Sequence, residues 1–246
     1  MAWITARVTS RQEWAEGLVT LALDASVPAF VPGQFVNLAL ELGGELVKRP
    51  YSLASAIGAP AEFYLTLLPH GTFTPSLFAL DVGAPLLMED RANGFFTLEH
   101  VPPARDAWLI GTGTGLGPFI SMLRSPELWQ RFEHIVVVHG VRENAHLGYR
   151  GELSKLVAAQ PGKLRYVPVV SREAPGPAAL AGRVTTQLES GGLEAHAGLP
   201  IGADHSHVLL CGNPDMIDEM ELLLEARGLR RHRKRNPGHY TIERYW

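Results

Sequence analysis

Two rhythms of apolar and polar residues divide this chain. In its first part, short β-prone runs follow one another closely: Ala6–Ser10, Leu18–Leu23, Gln34–Leu40, Tyr51–Ser55, Glu62–Leu68 and Pro85–Glu89. Pro32-Gly33, Gly43-Gly44, Gly58-Ala59-Pro60, His70-Gly71 and Asn93-Gly94 break them, and Thr74–Leu80 is the one short helix expected among them. Closely spaced strands without long helices between them predict an antiparallel barrel. Val101-Pro102-Pro103-Ala104-Arg105-Asp106 reads as a linker, and beyond it the rhythm changes. The runs Ala107–Gly111, Ile135–His139, Leu164–Val170 and His207–Cys211 read as strands, and Pro118–Leu123, Glu152–Ala159 and Pro214–Arg227 as helices. That alternation predicts a parallel sheet with crossover helices. The fold class is therefore two-domain: an antiparallel β-barrel over 1–101, then an α/β parallel-sheet domain over 102–246.

Composition narrows the function classes. Hydrophobic residues make up 46% of the 246 positions, enough for two cores and too many for a disordered chain. A net charge of −3 argues against a dedicated nucleic-acid binder. The charge is uneven, because Arg227, Arg230, Arg231, Arg233, Lys234 and Arg235 crowd together near the end. Such a cluster is either a solvated helix end or a docking patch for an acidic partner. With Cys211 as the only cysteine, the chain holds neither an internal disulfide nor a four-cysteine iron–sulfur cluster. The histidines form no pair with convincing metal-ligand spacing, so no metal is expected. No apolar run reaches the roughly 20 residues that span a bilayer. The start, Met1-Ala2-Trp3-Ile4, lacks the pattern of a secretion signal, so a soluble cytoplasmic protein is expected.

Three segments carry chemistry. Arg49-Pro50-Tyr51-Ser52 sets a cation, a flat ring and a hydroxyl within four residues. That combination suits a flavin: the cation meets a pyrophosphate, the ring stacks on the isoalloxazine, and the hydroxyl approaches its reactive nitrogen. The second segment, Gly111-Thr112-Gly113-Thr114-Gly115-Leu116-Gly117-Pro118, joins a strand to a helix. Its glycines let backbone approach a ligand, and the following helix offers free N–H groups to phosphate. The spacing is not G-x-G-x-x-G, since the third glycine would fall at Leu116 or Pro118, so no Rossmann fingerprint is assigned. Third, Arg142, Ser171-Arg172 and Arg183 follow strands where a ribose selector is expected, and three arginines there favour a 2′-phosphate. Glu143 beside Arg142 works against that preference. Cys211-Gly212-Asn213-Pro214 ends the last strand of the series, where parallel sheets bind ligands.

With both halves in view, the chain resembles the plant-type ferredoxin–NADP reductase superfamily, and within it the bacterial ferredoxin/flavodoxin–NADP reductases. The resemblance runs nearly end to end. It rests on Arg49–Ser52, Glu62-Phe63-Tyr64-Leu65-Thr66, Gly71-Thr72-Phe73-Thr74, the glycine turn, Val141-Arg142, Ser171-Arg172, Cys211–Pro214 and the tail from Gly238 to Trp246. It implies an FAD-binding barrel followed by an NADP-binding domain whose tail returns to the flavin. It further implies that Arg49, Pro50, Tyr51, Ser52, Tyr64, Leu65, Thr66, Thr72, Phe73, Thr74 and Thr114 meet FAD. Tyr245, plant-like where many bacterial relatives carry a small residue, would cover the other flavin face, and Trp246 would reach towards the adenine. NADP(H) falls to Val141, Arg142, Ser171, Arg172, Arg183, Gly212, Asn213 and Asp215, and catalysis to Ser52, Cys211, Glu243 and Tyr245. The implied reaction moves hydride between NADP(H) and FAD, and single electrons between FAD and a ferredoxin or flavodoxin. That acidic carrier would dock on Arg230, Arg231, Arg233, Lys234 and Arg235, and nothing demands more than a monomer. One alternative keeps the chemistry but serves an oxygenase, free flavin or ferric complexes. A second is a non-catalytic NADP-binding redox sensor.

Overall fold

A computed structural model describes residues 2–27 and 29–245. The chain forms two compact units, one of Met1–Leu98 with Gly117–Pro126, the other of Glu99–Leu116 with Glu127–Trp246.

The first unit holds six antiparallel strands: β1 (Trp3–Ala15), β2 (Leu18–Leu23), β3 (Phe35–Leu42), β4 (Glu45–Ser52), β5 (Glu62–Thr66) and β6 (Pro85–Glu89). Their order is β4-β3-β6-β1-β2-β5. β1 is long because it serves two partners, pairing β6 with its first residues and β2 with the rest. Register shifts between Val8 and Ser10 and between Glu13 and Ala15 let it bend from one to the other. The two ends of the order, β4 and β5, meet where the Ala54 N–H donates to the Glu62 carbonyl at 2.8 Å. The interior is apolar, with Val8, Leu21, Val36, Leu38, Phe63, Leu65 and Met88 among its buried residues. This is the antiparallel barrel that the strand spacing predicts.

β4 is more than its predicted apolar end. The whole stretch Glu45–Ser52 pairs with β3 through the Gly43-Gly44 turn, whose glycines both take positive φ. Pro50 lies opposite Asn37 within it. A proline, lacking an N–H, is tolerated in an edge strand. α1 (Thr74–Phe78) is shorter than predicted. α2 (Gly117–Leu123), the helix after the glycine turn, is buried throughout and belongs to this unit. Ser121 Oγ donates to the Ser55 carbonyl at 2.7 Å, and Arg124 Nη1 reaches the Ala54 carbonyl and Glu62 Oε1, both at 2.9 Å. The break in sequence at 101/102 therefore differs from the grouping in space, where helix packing overrides chain order.

The second unit is a parallel sheet of β7 (Asp106–Thr112), β8 (His134–Val141), β9 (Leu164–Val170), β10 (Leu180–Ala181), β11 (Ser206–Gly212) and β12 (Tyr240–Arg244), in the order β10-β9-β8-β7-β11-β12. Between them lie α3 (Pro126–Arg131), α4 (Arg150–Ala159), α5 (Val184–Glu189), α6 (Gly192–Ala197) and α7 (Pro214–Ala226). The central strands are buried on both faces, which is why they read as unbroken apolar runs. Trp108, Val136, Val167, Leu210, Ile217 and Tyr240 share one core. β12 has no counterpart among the predicted elements. It pairs in parallel with β11, from Val208↔Tyr240 to Gly212↔Arg244.

Candidate functional site

Each unit carries a set of the residues singled out above. In the first, Tyr51 lies one residue before the end of β4, its ring stacked on Phe73 with centroids 6.0 Å apart and planes 29° from parallel. Burial pushes its phenol up to about 12 against the opposing pull of Arg49, so the ring presents a neutral O–H. Arg49, on the same strand, is exposed, and among the described residues its guanidinium has one hydrogen-bond partner, the Lys48 carbonyl at 2.8 Å. Pro50 and Thr72 are exposed, Thr66 half-buried, and Ser52, Tyr64, Leu65, Phe73 and Thr74 buried. Thr74 is already engaged, since its hydroxyl donates to the Leu68 carbonyl at 3.1 Å and accepts the Leu68 N–H at 3.0 Å. It therefore closes the turn ahead of α1. Arg49 and Tyr51 remain available to a ligand that is both aromatic and anionic, which is the chemistry of a flavin dinucleotide.

In the second unit the glycine turn is packed against the end of β11. A side chain at Gly115 would run into the Cys211 carbonyl, and one at Gly212 into Thr112. Gly113, with φ +54°, faces open space instead, so a Cβ there would project into the room a ligand needs. Thr112 Oγ1 accepts the Asn213 N–H at 3.0 Å, while Asn213 Oδ1 caps α7 by accepting the Met216 N–H at 3.1 Å. The turn and the Cys211–Pro214 loop are thus one construction. Below it lies His139, fully buried, whose Nε2 is 3.1 Å from the Gly113 carbonyl. Burial lowers this imidazole to about 4, so it is neutral and donates through Nε2. Its Nδ1 has no hydrogen-bond partner among the described residues. Sequence reading passed over His139; the signal was a polar residue closing a β-branched run.

Arg142, Arg172 and Arg183 follow β8, β9 and β10. The Arg172 N–H donates to the Arg142 carbonyl at 2.8 Å, and the Gly182 N–H to the Val170 carbonyl at 2.8 Å, which draws the three segments together. All three side chains are exposed, and among the described residues none has a hydrogen-bond or ion-pair partner. Ser171 Oγ donates to the Val141 carbonyl at 3.1 Å. Asn144 was not foreseen either. It accepts from Gly176 N at 2.7 Å, donates to the Ala174 carbonyl at 2.9 Å and also binds Glu173, tying the loop after β8 to the loop after β9. Glu143, expected to weigh against a phosphate, is exposed and lies 3.9 Å from His146.

Cys211, Glu243 and Tyr245 come together because β11 and β12 are neighbours. Cys211 Sγ lies 4.0 Å from Glu243 Oε2, and the Tyr245 N–H donates to the Gly212 carbonyl at 3.0 Å. Burial, reinforced by the Glu243 charge and only partly offset by a hydrogen bond from Tyr245, raises the thiol well above its ordinary range. Cys211 is therefore a protonated, buried group and no nucleophile. Gly212 is buried, whereas Asn213 and Asp215 are exposed at the start of α7. Trp246 lies outside the described residues. Of the docking residues, the side chains of Arg230, Arg233, Lys234 and Arg235 are exposed with no hydrogen-bond or ion-pair partner among the described residues, but Arg231 lies 3.5 Å from Glu221. No helix among the described residues is long and apolar enough to cross a membrane.

Comparison with known proteins gives these sets a context. The model of the oxidoreductase NAD-binding domain matches residues 109–221. The flavodoxin/ferredoxin–NADP reductase of Escherichia coli (strain K12) is 42% identical over 246 residues, covering 99% of each chain. A ferredoxin–NADP reductase A from Sorangium cellulosum is 37% identical over 241 residues, covering 94% of this chain and 86% of that one. Among solved structures, a ferredoxin NADP+ reductase from Neisseria gonorrhoeae with bound FAD and NADP superposes with a TM-score of 0.94, at 27% identity and covering all of both chains.

Proposed function

Because the chain belongs to the flavodoxin/ferredoxin–NADP reductase family, we propose that its two sets of residues hold FAD and NADP(H) in an enzyme that passes electrons between NADP(H) and a ferredoxin or flavodoxin. When bound, FAD would supply the conversion between a two-electron hydride and single electrons, chemistry that no side chain provides. The protein's own residues supply place and charge. Tyr51 offers a ring whose plane Phe73 fixes, and its neutral phenol adds no anion beside the cofactor. Arg49, bound to nothing but one carbonyl, is the cation for the pyrophosphate, with Pro50, Tyr64, Leu65, Thr66, Thr72, Phe73 and Thr74 around it. Ser52 and Glu243 bring a hydroxyl and a carboxylate to the reacting ring, and Thr114 and Cys211 border the nicotinamide. Val141, Gly212, Asn213 and Asp215 line the nucleotide's course.

The observation that carries the NADP reading is the trio Arg142, Arg172 and Arg183. Three guanidinium groups without partners, held together by backbone bonds beside an open glycine turn, suit a dianionic 2′-phosphate. Arg172→Ala tests it. A charge-assisted bond of about 1.5–3 kcal/mol corresponds to a roughly 10- to 100-fold rise in KM for NADPH, with KM for NADH unchanged. An equal rise for both coenzymes would overturn the assignment. The purified protein is expected to be yellow with bound flavin.

The exposed turn bearing Arg230, Arg233, Lys234 and Arg235 is the docking surface for the acidic carrier, with Arg231 contributing less because Glu221 engages it. The same reading has the enzyme act as a monomer in the cytoplasm, which light scattering and cell fractionation check.

A further inference from the structure

β12 ends the sheet order beside β11, and on its other side Tyr240, at its start, is bridged by the segment before it, where the His232 N–H donates to the Tyr240 carbonyl at 2.7 Å. Its residues alternate between two faces. Tyr240, Ile242 and Arg244 face α7: Tyr240 and Ile242 join the core, the Tyr240 hydroxyl donates to Glu225 Oε1 at 2.8 Å, and Arg244 Nη2 bonds Asp218 and Glu221, the latter at 2.7 Å. Thr241 and Glu243 face the other way, Thr241 meeting His207 Nε2 at 2.9 Å and Glu243 approaching Cys211. α7 thus presents a ridge of three acids, Asp218, Glu221 and Glu225, and the strand answers it with a guanidinium and a phenol. Glu221 is shared, since Arg231 also lies 3.5 Å from it. Its side chain is only 15% exposed, against 36% for Arg244 and 64% for Asp218. Both bonds leave one nitrogen, and a guanidinium nitrogen shared by two carboxylates, one of them mostly shielded, is a stronger tie than a lone surface pair.

We infer that Arg244 is a positioning residue: by binding Asp218 and Glu221 on one face of β12, it fixes where the strand's other face carries Glu243 and where the chain continues to Tyr245. This rests on the reading above, in which Glu243 serves the flavin, together with the role of Tyr245 over one flavin face that the family resemblance implies. Without Arg244, Asp218 loses its cation, Glu221 is left to Arg231, and the end of an edge strand loses its charged tie to α7. The inference goes beyond the reaction itself, because the anchor sits on the face of the strand turned away from Cys211.

The test is amide hydrogen exchange in the flavin-loaded protein, read at Tyr245, whose N–H bonds the Gly212 carbonyl. Arg244→Gln should speed that exchange about tenfold and leave the central strand β8 unchanged. Arg244→Lys, which keeps one charge, should restore part of the protection. Raising salt should speed the Tyr245 amide in the wild type and add little in Arg244→Gln. Should Arg244→Gln fold poorly, Glu221→Gln gives a smaller change in the same direction, since Asp218 remains. Unchanged exchange at Tyr245 in either variant overturns the inference. Faster exchange with an unaltered flavin spectrum and unaltered hydride-transfer rate leaves the anchor standing and removes instead the assignment of Glu243 and Tyr245 to the flavin.

Discussion

The parallel sheet treats charge in opposite ways at the amino end of β7 and at the carboxyl ends of β8, β9 and β10. At the amino end, Asp106 is fully buried at the start of β7 and saturated: Arg105 binds it through Nε at 3.0 Å and Nη2 at 2.8 Å, and His134 Nδ1 lies 2.8 Å away. Burial alone would raise this carboxyl, yet the hydrogen bonds from Arg105 and His134 outweigh it and hold it below the usual carboxylate range. At the carboxyl end, Arg142, Arg172 and Arg183 have nothing to bind within the described residues. Polar groups are also arranged differently. Those at the amino end neutralise one another, whereas those at the carboxyl end hold backbone in place, as Thr112 does for Asn213 and His139 for Gly113. An end whose charges are mutually satisfied contributes to stability. An end whose charges are left open is prepared for something that arrives later.

Substitutions should separate the two ends. The largest effect is expected for Asp106→Ala, which removes a buried carboxylate and strands Arg105 and His134. Stability to urea should fall by about 3 kcal/mol, while KM for NADPH in the folded fraction stays the same. Gly115→Ala acts at the other end. Its Cβ would meet the backbone of Cys211, not a yielding side chain, so about 2 kcal/mol of stability should be lost. Unlike Asp106→Ala, it should also raise KM for NADPH, because the turn and the Cys211–Pro214 loop must part.

His139 offers a finer probe through pH. Its folded value is about 4 and the unfolded one is near 6.5, so in that window the unfolded chain binds a proton that the folded one refuses. Stability conferred at neutral pH is therefore lost as pH falls through that window. His139→Gln keeps a donor for the Gly113 carbonyl and cannot titrate. Between pH 7 and pH 5 it should lose about 2 kcal/mol less stability than the wild type, as thermal melts at the two pH values will show. The smallest effect belongs to the basic turn. Replacing Arg233, Lys234 and Arg235 by Gln should slow carrier reduction roughly tenfold at low ionic strength and hardly at all in high salt. Reduction of a small dye should be unaffected in both.

The two rhythms of the sequence made the barrel and the parallel sheet legible, because buried strands of each kind have their own apolar signature. β4 was only half visible: Glu45 to Pro50 is exposed and charged, and what makes it a strand is pairing with β3 across the Gly43-Gly44 turn. β12 was invisible for a stronger reason, since its partner β11 lies some thirty residues earlier. For the site, residue types at strand ends pointed to the three arginines. The ties among Arg244, Asp218 and Glu221 depend on which faces of a helix and a strand meet, and one-dimensional spacing carries no such information. The same holds for Asn144 and for the role of His139.

The passage of the chain between units bears on how the molecule is made. Leu98 ends one stretch of the first unit, yet Gly117–Pro126 completes that unit only after β7 and the glycine turn have been laid down in the second. A ribosome that has released only the first hundred or so residues therefore presents a barrel missing its buried helix. A fragment ending at Leu98 should stay loosely formed, and one starting at Glu99 should aggregate through the orphaned apolar surface of α2. The chain crosses between the units three times within some thirty residues, so the barrel matures only after part of the second unit has been made.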